Sequence, residues 1–203
     1  MAGTNSSEIR IAGVGRLYYA AAGTELPTAF TGTPATDWTG WTDLGFTSGD
    51  GVTFSKKDKL EPIDVWQAVS PVHFVYSDRD LTLKFSLMQF NEDTLPLFMG
   101  GGDVTALDTT NNPGVYKYDV ADRPYADAHA LGLEFTDVRA DAAADEAVTY
   151  RFGIPRGQVT AVDDIKLGRK AAAQLGITFT AMATPGKSAL ASFLMKDVSY
   201  AAS

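Results

Sequence analysis

Leu81, Leu83, Phe85 and Leu87 fall on one side of a period-2 pattern, while Thr82, Lys84 and Ser86 fall on the other. Successive side chains of an extended chain point to opposite faces, so this alternation predicts a strand with one buried face. The same pattern sets Leu131, Leu133 and Phe135 against Gly132, Glu134 and Thr136, and Val148, Tyr150, Phe152 and Ile154 against Thr149, Arg151 and Gly153. A further strand places Ile177, Phe179 and Ala181 opposite Thr178, Thr180 and Met182. Shorter strands are predicted at 17–20, 52–55, 72–76, 115–118 and 159–162, which are rich in the β-branched and aromatic residues that suit a pleated surface.

Turn-forming runs at Ser48-Gly49-Asp50-Gly51, Ser77-Asp78-Arg79-Asp80 and Asn111-Asn112-Pro113-Gly114 predict hairpins, so the fold class is mainly antiparallel β. One short helix is predicted after Thr94 as N-cap, with Pro96 in the first turn and Gly100 to Gly102 ending it. Residues 188–195 admit a second helix without requiring one. The aperiodic stretch 20–40 and the charge run 56–62 read as extended surface segments. Residues 1–15 read as an N-terminal arm with nothing to pack, and residues 16–203 as a single β domain without internal repeats.

The chain has 203 residues with 17 basic and 25 acidic side chains, a net charge of −8, and no cysteine. A chain of this length buries enough surface to fold without metals or disulfides. The acidic balance repels phosphate, which argues against a nucleic-acid reader, so any contact with DNA would have to be local or else non-adhesive. No run approaches the length of a membrane span and the first ten residues carry no signal-peptide pattern, so neither secretion nor membrane insertion is expected.

Candidate chemistry is sparse. Ala183-Thr184-Pro185-Gly186-Lys187-Ser188 after a predicted strand resembles the end of a phosphate-binding loop, but the first glycine position holds Ala181 and no strand follows to supply a magnesium ligand. His73 and His129 are isolated histidines with no nucleophile elbow, so no catalytic group and no metal or cofactor is expected. Asp163 and Asp164 read as a turn, and Asp137, Asp141 and Asp145 as a solvated connection without a calcium-loop pattern. Lys56-Lys57-Asp58-Lys59 has no interleaved aromatic and reads as a solvated hairpin flank or a partner contact. Trp66, between charged and polar neighbours just after Pro62, reads as either core or an interface anchor.

Five segments in order carry a family resemblance. They are Tyr18-Tyr19-Ala20 leading into Gly23-Thr24-Glu25-Leu26-Pro27; Trp41 with Leu44-Gly45-Phe46-Thr47 and Gly51-Val52; Trp66-Gln67; residues 81–90 leading into Asn91, Leu95 and Gly100-Gly101-Gly102; and Ile154-Pro155-Arg156-Gly157. Their order and spacing over residues 16–183 resemble the major tail tube proteins of long, non-contractile-tailed bacteriophages, particularly those of actinobacteria. The resemblance implies a β-sandwich or barrel-like subunit with one short helix and long loops. It further implies hexameric rings stacked into a tube in the virion tail, assembled in the host bacterial cytoplasm. Such a tube encloses a tape-measure protein, meets tail terminator and distal tail proteins at its ends, and conducts double-stranded DNA without binding it specifically.

The loop that contacts the next ring in that family corresponds here to residues 45–70, which makes Lys56, Lys57, Lys59, Ile63, Trp66 and Gln67 the expected inter-subunit residues. The polar faces of two strands, Thr82, Lys84 and Ser86 with Thr178 and Thr180, suit the wall of a water-filled channel. Lys84 and Arg151, sharing those faces, are the exceptions to a neutral or acidic wall. The competing reading is a monomeric β-sandwich binding module on a virion surface, with Trp38 and Trp41 exposed for stacking against a sugar, or for a protein partner.

Overall fold

The computed structural model describes residues 9–31, 34–108, 110–123, 125–137 and 148–197. In chain order the elements are β1 (Ala12–Ala21), a single turn α1 (Pro34–Asp37), β2 (Thr42–Asp43), β3 (Thr47–Ile63), β4 (His73–Leu87), α2 (Thr94–Met99), β5 (Val104–Asp108), β6 (Asn112–Tyr118), β7 (His129–Asp137), β8 (Val148–Val162), β9 (Leu175–Ala181) and β10 (Ser192–Lys196). Eight strands form one open sheet in the order β2-β1-β7-β8-β9-β4-β3, with β10 beside β8, while β5 and β6 form a separate hairpin. All pairings are antiparallel, as the alternation predicts.

The apolar half of each alternating strand enters one core. Leu83, Phe85 and Leu87 of β4, Leu175, Ile177 and Phe179 of β9, and Phe152 and Ile154 of β8 pack with Leu17, Leu131 and the helix residues Leu97 and Phe98. Each such burial stabilises by roughly 1.5–3 kcal/mol, and a one-residue slip would exchange these groups for Thr82, Lys84 and Thr178, so the pattern also fixes the register. The α2 turn differs from expectation at its start. Thr94 is the first helical residue rather than the cap, and the side-chain carbonyl of Asn91 accepts the N–H groups of Asp93 and Thr94 at 3.0 and 2.8 Å. Gly100 closes the helix with φ 86°, a conformation that glycine adopts without a Cβ penalty.

Two of the three expected turns are strand. Ser48 to Gly51 lie inside β3 at a register irregularity, and Ser77 to Asp80 lie inside β4. The reason is cross-strand: Lys57 faces Asp80, Asp58 faces Arg79 and Lys59 faces Asp78, so the turn-prone acids find basic partners about twenty residues away and stay extended. Of the third, Asn111 lies in the β5–β6 turn, while Asn112 to Gly114 already belong to β6. The stretch admitting a helix at 188–195 contributes to β10, which runs along the edge of β8 from Ser192 opposite Gly153 to Lys196 opposite Thr149. Its Phe193 packs on Phe152 at 4.4 Å between ring centroids.

The aperiodic stretch 20–40 runs over the surface as expected, with most of its described residues exposed, but Asp37 and Trp38 are buried and anchor it to the sheet. It lies across the second face of β1, β7 and β8, where Trp38 stacks on Tyr18 at 4.1 Å and its indole N–H donates to Glu134. Two cross-strand glycines make the room: a Cβ on Gly132 would come within 2.4 Å of the Trp38 ring, and one on Gly153 within 2.7 Å of Leu26. Arg151, 1% exposed, staples this layer down, pairing with Asp37 at 2.8 Å and Glu134 at 2.6 Å. At the N-terminal side, β1 is already paired to β7 from Ala12 opposite Asp137, and Arg10 bonds Tyr150 and Asp197. Of the acids read as a solvated connection, Asp137 is buried and accepts the Ile11 N–H, while Asp141 and Asp145 lie outside the described residues.

Candidate functional site

Among the described residues the second face of the sheet is covered over β1, β7 and the first half of β8. Over β3, β4, β9 and the end of β8 its side chains are polar. The register brings the expected residues together: Thr82 lies opposite Thr180, Lys84 opposite Thr178, and Ser86 opposite Gly176. Thr53, Ser55, Lys57 and Lys59 extend the same face on β3, and Gln158 and Thr160 extend it on β8, where the Thr160 and Thr180 hydroxyls bond at 2.7 Å. Lys84 binds Asp163 at 3.2 Å, and Lys57 and Lys59 stand across from Asp80 and Asp78. Arg151, expected on this polar face, is instead buried under the 20–40 layer.

Two backbone edges border the polar face. Among the described residues β3 pairs only with β4, which leaves its outer edge open. β7 leaves β8 at His129 opposite Gly157, whereas β9 follows the other edge of β8 to Val162. The edge of β8 beyond Gly157 is therefore open as well. Exposed edges of this kind are templates for pairing with another chain.

Beyond Leu81, β3 and β4 leave the sheet as a two-stranded arm. β9 pairs with β4 only from Thr82 to Leu87, and the arm has only its own ladder, running out to Ile63 opposite His73. The expected inter-subunit residues are spread along it rather than clustered. Lys56 is on the core side, where it and Arg79 each bind Asp58 at 2.7 Å and hold that carboxyl below the usual aspartate range. Lys57 and Lys59 are on the polar side, Lys59 also binding Glu61 at 3.1 Å. Ile63 is near the tip, and Trp66 and Gln67 are in the connecting turn. Trp66 is 97% exposed, which removes the core reading for it.

Sequence reasoning missed most of the arm's apolar character. Past the bulge at Ser77, Leu60, Phe74 and Tyr76 share one side while Ile63 and Val75 share the other, and all five are exposed. The legible signal is the unalternated run Phe74-Val75-Tyr76: a strand apolar on both faces must be buried twice or must await a partner.

The described chemical candidates lie apart from one another. Lys187 is ion-paired to Glu25 at 2.8 Å, and the segment after Ser188 becomes strand rather than the helix a phosphate loop needs. His129 is half-buried, edge-on to Tyr19 at 5.7 Å, and burial pushes its pKa down. Trp38 is 3% exposed and Trp41 is half-buried, so the pair is not the open stacking platform a sugar site would use. Among the described residues no helix is long and apolar enough to cross a membrane.

A family model for the phage tail tube protein matches residues 2–203. The chain belongs to the phage tail tube proteins. No curated protein matches it. Membership makes this tail tube protein a structural component of the virion tail, one that assembles with copies of itself into a tube.

Proposed function

We propose that six copies close into a ring by pairing the open edge of β3 with the open end of β8 in the next copy, and that stacked rings form the tail tube. The observation carrying this reading is the four-stranded polar face bordered on both sides by unpaired edges. Edge pairing removes the exposed ladders and continues one polar surface around the inside of the ring. Thr82, Lys84, Ser86, Thr178 and Thr180 then line a wet lumen. Its basic groups each have an acid nearby, Lys84 with Asp163 and Lys57 and Lys59 with Asp80 and Asp78. Together with a net charge of −8 per subunit, that wall gives phosphates no cluster of free cations to bind, so double-stranded DNA slides through. The same lumen encloses the tape-measure protein before ejection, and the arm bearing Lys56, Lys57, Lys59, Ile63, Trp66 and Gln67 engages the neighbouring ring.

Negative-stain electron microscopy of the purified protein over a concentration series, with light-scattering mass on the same samples, tests the reading. Six-fold rings or hollow tubes are expected. A monomer at every concentration, or rings of another symmetry, overturns the proposed closure.

A further inference from the structure

A second apolar feature lies at the far end of the subunit from the arm. Phe90 and Leu95, just after β4 and in α2, face Val104, Tyr116 and Tyr118 of the β5–β6 hairpin across an open groove of about 450 Å³, with Glu92 at its rim. The Tyr118 hydroxyl donates to the Gly101 carbonyl at 2.6 Å and fixes the hairpin beside the end of α2. Tyr116 remains 62% exposed and Phe90 is also exposed. A lone two-stranded hairpin is marginally stable by itself, so a partner filling the groove would also stabilise its wall.

We infer that this groove is the receptor for the arm tip of a second copy, with the Trp66 indole seated between α2 and the β5–β6 hairpin. The inference rests on the reading of the protein as stacked rings. The apolar arm residues between Leu60 and Tyr76, two of them other aromatics beside Trp66, expose on the order of 1,000 Å² together, given roughly 150–250 Å² for an aromatic. That area is divided between the two sides of the ribbon and its turn, and together it is comparable to the about 800 Å² per partner that a stable interface buries. β4 is 15 residues long, or about 50 Å at the strand rise, with the arm tip before its first residue and the groove after its last. Tip and groove thus lie at the two ends of β4, no arm residue lines the groove of its own copy, and the two meet between copies. A contact joining opposite ends of identical subunits is heterologous and repeats in one direction, which is the geometry of a stack.

The native chain has no cysteine, so introduced thiols report contacts cleanly. Gln67→Cys beside Trp66 and Glu92→Cys at the groove rim leave every apolar anchor in place. Treating the double variant with a short bismaleimide under assembly conditions should give a ladder of covalent chains on a denaturing gel that extends past six. A mixture of the two single variants should give dimers and no longer products. Adding Trp66→Ala should lower the yield by about tenfold or more, as loss of an anchor residue does. Leu167→Cys, 83% exposed, replacing Glu92→Cys should give no ladder.

Tubes in the microscope without a ladder overturn the receptor assignment and leave the tube reading standing. Neither tubes nor ladder overturns both. A ladder ending at six places the contact within a ring, and cross-linking of Gln67→Cys to itself places it tip to tip; either result overturns the assignment. So does a monomer of the Glu92→Cys variant that fails to react with a monofunctional maleimide, because the groove would then be covered by its own chain.

Discussion

Replacing Arg151 with Met isolates the element that holds the 20–40 layer on the sheet. The guanidinium is 1% exposed, donates to Glu134 at 2.6 Å, to Asp37 at 2.8 Å and to the Pro27 carbonyl at 3.2 Å, and also bonds the Ala29 carbonyl. It lies 4.1 Å from the Phe30 ring centre and 5.3 Å from that of Trp38. Methionine keeps most of the apolar stem while leaving two carboxylates without their cation. Breaking a buried pair in this way costs about 3–5 kcal/mol. The two carbonyls that lose a donor add up to about 1 kcal/mol each, while Asp37 keeps the Thr31 amide and hydroxyl and can take up a proton, so about 4 kcal/mol is expected overall.

With a urea slope of about 3 kcal/mol per M for a chain of this size, the unfolding midpoint should fall by roughly 1.3 M. Tryptophan emission is a suitable probe because Trp38 contacts the altered site. Adding Asp37→Asn to Arg151→Met should recover about 1–2 kcal/mol, since the second change removes a stranded charge. A midpoint within about 0.3 M of the parent, or a double variant that loses the sum of the two single effects, would refute the account of Arg151 as the staple.

Three further outcomes follow from other parts of the structure. Burial alone would raise the Asp37 pKa, but the Thr31 and Arg151 hydrogen bonds outweigh it and hold the carboxyl below the usual aspartate range. Its stabilising contribution is therefore complete above about pH 4 and lost as pH falls through the lower folded value, so the stability gap between parent and Asp37→Asn should narrow from pH 6 to pH 3; a constant gap would contradict this. Gly132→Ala sets a Cβ 2.4 Å from the Trp38 ring and should cost about 1–3 kcal/mol with a change in tryptophan emission, whereas Gly49→Ala meets no atom within 4 Å and should be near neutral in the same urea titration. Trp66→Ala should leave thermal stability within about 0.5 kcal/mol, because the side chain is 97% exposed, while reducing polymer mass by light scattering; an unfolded subunit or unaffected tubes would count against the arm as an assembly element.

Local periodicity carried much of the architecture. Alternation at 81–87, 131–135, 148–154 and 177–181 marked the core strands correctly, because whether a side chain points up or down a strand is set by its immediate neighbours. The outward rows of the candidate lumen face were legible for the same reason, and Gly100 marked the end of α2 because its left-handed backbone is a local requirement. What the sequence by itself determined is therefore which residues share a face of each strand.

Partners distant in sequence decided the rest. Ser77 to Asp80 stayed extended because Lys57, Asp58 and Lys59 pair across from them, a compensation that no local window contains. Gly132, Gly153 and Arg151 read as the outer side of two strands, yet the register puts the glycines opposite each other, and Leu26 and Trp38 fill the space they leave while Phe30, Asp37 and Trp38 cover the arginine. Thr82 meets Thr180 only through the β4–β9 pairing. The open edges of β3 and β8 depend on where β7 and β9 stop. Only the tertiary structure decided these features, because register, coverage and edge exposure depend on which strands meet, and the energy selecting that arrangement comes from contacts between segments that a local pattern does not encode.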